Sequence, residues 1–213
     1  MLSDGAWSCR PAFLIGGGPS LATLDWTLLR DVPNAICVNR SFVNVPSAAA
    51  MFTEDERFIR RFAAELNAFT GEVIYHALAP EYVPAVRDAV ANVRIIERKR
   101  QDKYWSRSLS EGLSISSNSA IGALNLLDIL DANPIYLLGI DCVPEAPANY
   151  HDDYPQDWRS CADQMRSFKS DFEHWAKPNL RGRIVINLNR ASGVECWTRT
   201  PLTYNEALAK LCA

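Results

Sequence analysis

The sequence predicts an α/β fold: a single Rossmann-like domain with a mostly parallel sheet, helices on both faces and a short lid loop. Three observations carry this. Short continuous apolar runs alternate with helix-period segments along the whole 213-residue chain. The runs lack the in-out alternation of half-exposed strands, so they read as strands buried on both faces. The first run is followed at once by a glycine-rich turn, Gly16-Gly17-Gly18-Pro19-Ser20, leading into a leucine-bearing segment.

The elements follow in order. Ala12 to Gly16 is the first strand, and Leu21, Leu24, Leu28 and Leu29 then mark one face of a helix. Ala35 to Val38 is the second strand and Ala48 to Phe52 a weaker third. Phe58, Phe62, Leu66 and Phe69 make a stripe on a helix from Glu54 to Phe69. Val73 to His76 reads as a strand, Glu81 to Ala91 as a helix entered through Pro80, and Val93 to Ile96 as a strand. Arg98 to Leu113 breaks the pattern, being basic, aromatic and serine-rich. Ala120 to Leu130 is a helix stopped by Asn133 and Pro134, and Ile135 to Leu138 is a buried strand. After a polar loop, Cys142 to Asp157, come a long helix from about Trp158 to Ala176 and a last strand, Ile184 to Leu188.

With 48% apolar and 22% charged residues the chain is neither disordered nor collagen-like, and its length suits one domain over residues 1–213. Lid or loop elements are expected at about 98–116 and 142–157. A net charge of −3 argues against coating nucleic acid or anionic membrane as the main task. The six cysteines form no CxxC pair, which argues against a zinc site; Cys37 and Cys142 read as buried reduced thiols. Residues 1–10 do not read as a signal peptide, and no apolar stretch is long enough to span a bilayer. The expected location is cytoplasmic.

In such sheets ligands bind at the carboxyl ends of the strands, near the point where strand order reverses. Glycines at 16–18 allow positive φ and close approach to a ligand, and Pro19 suits a first helical position. The amides of Ser20 and Leu21 would then favour an anion such as a diphosphate, although a tight packing turn explains the same glycines. Leu21 stands where a dinucleotide fingerprint needs its third glycine, Asn39 and Arg40 stand where it needs an acid, and no P-loop lysine is present. Asn39 suits a base or ribose and Arg40 a phosphate, or both end a solvated strand.

Four separated segments resemble a known family. GGGPSL at 16–21 is similar to the G-x-GPSL turn of the bacterial lipooligosaccharide sialyltransferases, and also to that of the hydroxymethylpterin pyrophosphokinase-like family. VNRSF at 38–42, the segment 114–141 ending in IYLLGID, and INLNRASGVECW at 186–197 resemble further sialyltransferase or wider-family segments in the same order. The resemblance implies a nucleotide donor held by Gly16, Gly17, Gly18, Pro19, Ser20 and Asn39, with base or ribose contacts near Gly139, Ile140 and Asp141. It matches Ser117, Asn118 and Ser119 to the segment gripping the donor sugar's anionic part, with Asn118 in place of the family glycine; Asn118 or Ser119 also suits the N-cap of the next helix. The family carries phosphate-binding tyrosines and a catalytic histidine on a long lid after the GID strand. This chain has a short loop there, with Tyr150, His151 and Tyr154.

Of three histidines, His76 and His174 read as structural, and His151 as the general base for an acceptor hydroxyl or else part of a solvated loop. Tyr150 and Tyr154 would hydrogen-bond the departing phosphate and Arg40 offset its charge. Glu54 and Asp55, with Asp141, suit Mg²⁺, which would favour the pyrophosphokinase reading; Glu54 and Asp55 also suit a helix start. The stretch from Arg98 to Arg107 suits a donor, a sugar or an anionic acceptor, nucleic acid included, but reads first as a solvated loop. The expected function is glycosyl transfer from a nucleotide-activated donor, with CMP-linked sugars the specific form the resemblance implies, to a glycan or other hydroxyl acceptor, with no cofactor firmly implied. The alternatives are a Mg²⁺-dependent pyrophosphokinase and a nucleotide-binding protein without catalysis.

Overall fold

A computed structural model describes residues 1–32, 34–99, 104–114, 118–145, 149–155, 158, 161–180 and 182–211. Its centre is a sheet of eight strands: β1 (Ala12–Ile15), β2 (Ala35–Val38), β3 (Ala50–Thr53), β4 (Glu72–Ala77), β5 (Val93–Glu97), β6 (Ile135–Leu138), β7 (Val185–Asn187) and β8 (Thr198–Arg199). The spatial order is β5-β4-β3-β2-β1-β6-β7-β8, and every pairing is parallel. The chain thus walks outward from β1 to β5, then returns to lay β6 on the other side of β1. Strand order reverses between β1 and β6.

Alternate residues of each strand feed two cores. Leu14, Ile36, Phe52, Ile74 and Leu137 face one way, and Phe13, Ile15, Cys37, Met51 and Tyr75 the other. The first face is covered by α4 (Ser119–Ile129) and by α5 (Ala162–Asp171), whose carboxyl end continues through a π-helical turn, Phe172–Ala176, into the short α6 (Lys177–Asn179). Every residue of α4 from Ala120 to Ile129 is buried, which is why this return crossover carries so little charge. Each such Leu or Ile contributes roughly 1.5–3 kcal/mol by leaving water. The second face is covered by α1 (Glu56–Arg61), α2 (Ala63–Ala68), α3 (Val83–Ala89) and α7 (Tyr204–Leu211).

Three segments depart from the expected helices. After the glycine turn come two 3₁₀ turns, Pro19–Thr23 and Trp26–Leu29, because Leu24 and Asp25 are extended and the Asp25 carboxylate accepts the Thr27 amide. Leu21, Leu24 and Leu29 still face the core. The helix expected over 54–69 breaks at Phe62 (φ −107°, ψ 24°) into α1 and α2. The helix expected from about Trp158 starts at Ala162. Both β8 and α7 lie beyond the last strand read from the sequence. Among the described residues no helix is long and apolar enough to cross a membrane.

The basic-aromatic stretch is anchored through Tyr104, Trp105 and Ser106, while Lys99 and Arg107 are exposed. Tyr104 and Trp105 are buried; the Trp105 indole N–H donates to Asp128 at 2.9 Å, and Arg107 pairs with the same carboxylate. Asn125 of α4 accepts the Ser106 and Ser114 amides. Arg100 to Lys103 lie outside the described residues.

Candidate nucleotide pocket at the strand-order switch

A cavity of about 190 Å³ opens over the carboxyl ends of β1, β2 and β6, at the point of strand-order reversal. Gly16, Gly17, Gly18, Pro19, Asn39, Asn118, Ser119, Gly139, Ile140, Asp141, Asp55 and Tyr154 all line it. Ser20, Arg40, Tyr150 and His151 are not among the residues that do. Ser117 lies outside the described residues.

The glycine turn works differently from the expectation. None of Gly16, Gly17 and Gly18 has positive φ; the turn needs glycine because another loop crosses it closely. A Cβ at Gly16 would come within 2.6 Å of the Gly139 carbonyl oxygen. One at Gly18 would strike the Asp141 carboxylate and approach the same carbonyl at 2.7 Å. Gly17 is the least crowded of the three: a Cβ there would meet only the side chain of Asn149, its Oδ1 at a tight 3.3 Å. Positive φ falls instead on Gly139 (63°), where a side chain would collide with Leu21.

The amides expected to hold an anion are already satisfied. Asp141 Oδ2 accepts the Ser20 amide at 2.8 Å, and Oδ1 accepts the Ser20 hydroxyl and the Asn189 side-chain amide, each at 2.6 Å. Leu21 N donates to the Gly18 carbonyl. A buried aspartate of the protein therefore occupies the anion position at this turn. The Tyr204 hydroxyl braces the arrangement, accepting the Gly139 amide at 2.9 Å and lying 2.9 Å from the Ser20 hydroxyl. Burial first, and Asp141 next, push the Tyr204 hydroxyl pKa up.

Asn39 is the opposite case. It lines the cavity with its backbone in the left-handed region (φ 54°). Its Oδ1 is shut off from solvent and has no hydrogen-bond partner among the described residues. Such an orphaned acceptor costs roughly 1–3 kcal/mol. Asn118 caps α4 by accepting the Ala120 amide at 3.1 Å, and the Ser119 hydroxyl accepts the Glu54 amide at 3.2 Å. Both the capping role and a place on the wall thus apply to this segment.

The short loop after β6 reaches the cavity through Asn149, Tyr154 and Trp158. His151 packs edge-on between Tyr150 and Tyr154, at ring distances of 4.9 and 4.5 Å, so it sits behind the wall. The Tyr150 hydroxyl meets Asn44 Nδ2 at 2.9 Å, and burial pushes its pKa up to about 12. Burial likewise raises Tyr154. Arg40 is committed to this loop: Nε donates to Asp153 at 2.8 Å, and the guanidinium lies 4.5 Å from the centre of the Phe62 ring. Asp55 caps α1 and pairs with Arg57 at 2.8 Å. Among the described residues no group of three His, Cys, Asp or Glu is placed to hold a metal ion.

Several contributors had readable but unused signals. Met165, Phe168 and Phe172 form the apolar wall and share one stripe of the α5 region. Thr203 and Glu206 form a capping box, with Thr203 N donating to Glu206 Oε2 at 2.8 Å, which marks the helix carrying Tyr204. Cys37 and Cys142 are buried thiols, both raised to about 12 by burial.

No protein-family model and no curated protein matches the sequence. The fold is nevertheless shared. A solved structure, the MAf glycosyltransferase of Magnetospirillum magneticum AMB-1, superposes with a TM-score of 0.63 at 16% identity over 100% of this chain. This chain spans 38% of the length of that protein. The likeness shows the Rossmann-like fold.

Proposed function

We propose that the protein is a glycosyltransferase-type enzyme that binds a nucleotide-activated sugar in the cavity at the β1–β6 switch and transfers the sugar to a hydroxyl acceptor. One observation carries the reading: Asn39 lines that cavity, and its buried side-chain oxygen has no hydrogen-bond partner among the described residues. In this reading a rotation of the Asn39 side chain turns that oxygen into the cavity, where a nucleoside donor group, an exocyclic amine or a ribose hydroxyl, supplies the missing hydrogen bond. Gly17, on the wall and crowded only by the Asn149 side chain, lets the donor approach the backbone, while Asn118, Ser119 and the residues 139–141 surround it. Two further facts support the reading: the neighbouring fold belongs to a glycosyltransferase, and the sequence segments resemble sialyltransferase motifs. That second resemblance makes a cytidine nucleotide the first donor to try. Tyr154, on the wall, is the lid hydroxyl nearest the donor's phosphate in this scheme; Arg40 and His151 support the loop from behind it.

A thermal-shift panel of CMP, CDP, UDP, GDP, AMP and ATP, with and without Mg²⁺, tests it. Ligand that binds only the native state raises the melting temperature by mass action. Metal-independent stabilisation by CMP or CDP is the expected result. Stabilisation by ATP only with Mg²⁺ would instead favour the pyrophosphokinase reading, and no shift with any nucleotide overturns the proposal.

A further inference from the structure

A second cavity, of about 430 Å³, lies beside the first, at the carboxyl ends of β3 and β4. The two share Asp55, Asn118 and Ser119 as a common wall. Glu54 lines the second and is placed by two elements, α4 and β4. Its own amide is tied to Ser119 at the start of α4. Its Oε1 lies 2.8 Å from His76 Nδ1 on β4. The missing side chain of Gly122 leaves room for it, since a Cβ there would come within 2.8 Å of Oε1.

Architecture alone does not account for this pair. The His76 side chain is 0% exposed and that of Glu54 7%, and His76 Nε2 has no hydrogen-bond partner among the described residues. Burying an ion-forming pair costs desolvation that its mutual attraction barely offsets, and an apolar pair of similar size would hold the strands as well. Glu54 is also the member of the pair that lines the cavity.

We propose that this second cavity is the acceptor subsite, taking an uncharged or amine-bearing polyhydroxyl compound such as a simple glycoside, with Glu54 receiving the proton of the attacking hydroxyl. The proposal rests on the glycosyltransferase reading above. Charge selects the acceptor class. Glu54, Asp55 and Glu56 line the cavity, and its guanidinium, Arg57, is paired to Asp55. Burial first, then Glu56 and Asp55, raises the Tyr75 hydroxyl on the same wall to about 12. Phosphorylated or carboxylated acceptors are repelled from such a site. Tyr82, 44% exposed on the cavity wall, offers a ring face to sugar C–H groups.

The step balances without a further reactant. The acceptor O–H proton passes to the Glu54 carboxylate as the acceptor oxygen bonds to the anomeric carbon of the donor. The bond from that carbon to the phosphate oxygen breaks, and its electron pair leaves with the nucleotide. The shared wall brings the two reacting groups together, which lowers the entropic part of the barrier.

Saturation-transfer NMR on the wild type, Tyr82→Ala and Glu54→Gln tests the subsite, with methyl β-galactoside, methyl β-glucosaminide bearing a free amine, and methyl β-glucuronide as probes. The expected result is transfer to the first two and not to the glucuronide, with the signal reduced severalfold in Tyr82→Ala. Because Tyr82 is exposed, that variant keeps its fold, and its melting temperature verifies this. Nucleotide thermal shifts are recorded on the same samples. A nucleotide shift without glycoside signal, a signal indifferent to Tyr82→Ala, or equal binding of the glucuronide overturns this inference alone; a missing nucleotide shift strikes the donor reading. With the stabilising nucleotide's sugar conjugate as donor, Glu54→Gln is expected to slow transfer by about 10²-fold or more while leaving the nucleotide shift intact. Undiminished transfer overturns the role given to Glu54.

Discussion

Two carboxylates stand at the carboxyl edge of the same sheet, and the fold treats them oppositely. Asp141, after β6, accepts three hydrogen bonds and ties the glycine turn to the Asn189 loop. Glu54, after β3, has its Oε1 against a buried histidine and lines a cavity. The difference separates architecture from chemistry. A polar group whose every capacity is used by the protein holds the molecule together, whereas one positioned but not saturated is available to a ligand. The same contrast divides Ser20, whose amide and hydroxyl serve Asp141, from Asn39, whose oxygen has no partner among the described residues.

The largest effect tests the architectural side. Asp141→Ala removes the acceptor of the half-buried Ser20 amide and the buried Asn189 side-chain amide, leaving the Ser20 hydroxyl only its Tyr204 contact, and should cost about 3 kcal/mol in urea unfolding. A loss below about 1 kcal/mol would dissolve the contrast, since it would leave Asp141 as free as Glu54. Next comes the pair Gly18→Ala and Gly17→Ala. The first drives a methyl group against Asp141 and the Gly139 carbonyl and should cost roughly 1–3 kcal/mol, whereas the second should leave stability nearly unchanged and weaken nucleotide binding. Melting curves with and without nucleotide separate the two, and equal behaviour would deny the turn its division of labour.

Asn39→Gly sharpens the ligand side. Glycine accepts the left-handed backbone and removes the orphaned oxygen, so stability should change by less than about 1 kcal/mol while the nucleotide-induced shift is lost. A retained shift would remove the observation on which the donor site rests. The smallest effect concerns the brace behind the wall. The hydrogen bond from Arg40 holds the Asp153 carboxyl below its ordinary pKa. A carboxylate whose folded-state pKa is depressed stabilises above its unfolded value, about 3.9, and loses that contribution as the pH falls through the folded value. The pair is largely solvent-screened, so Asp153→Asn should cost about 0.5 kcal/mol or less at neutral pH. The gap between wild-type and variant melting temperatures should close in acid.

The sequence carried the fold well because buried parallel strands are written as uninterrupted apolar runs, and Ile135–Leu138 and Ala35–Val38 stand where those runs are. Helix continuity was less legible. Leucine spacing after the glycine turn marks which residues are buried, yet it does not register that Asp25 turns its side chain onto Thr27 and ends the first turn. Much of the pocket wall was visible as residues that follow strands. Satisfaction was not visible, because it depends on contacts such as Ser20 to Asp141, which are 121 residues apart. For the same reason an anion site was expected where a carboxylate already sits, and His151 was expected on a wall it only supports. His76 read as structural from its strand position, and only its contact with Glu54 ties it to a cavity.

The central claim is that the cavity at the β1–β6 switch holds a nucleotide, and amide-resolved NMR titration with the most stabilising nucleotide tests it directly. The account predicts the largest shifts at Gly16 to Gly18, Asn39, Asn118 to Ala120 and Gly139 to Cys142, which line that cavity. Shifts confined to any other surface, or none at saturating nucleotide, would contradict it.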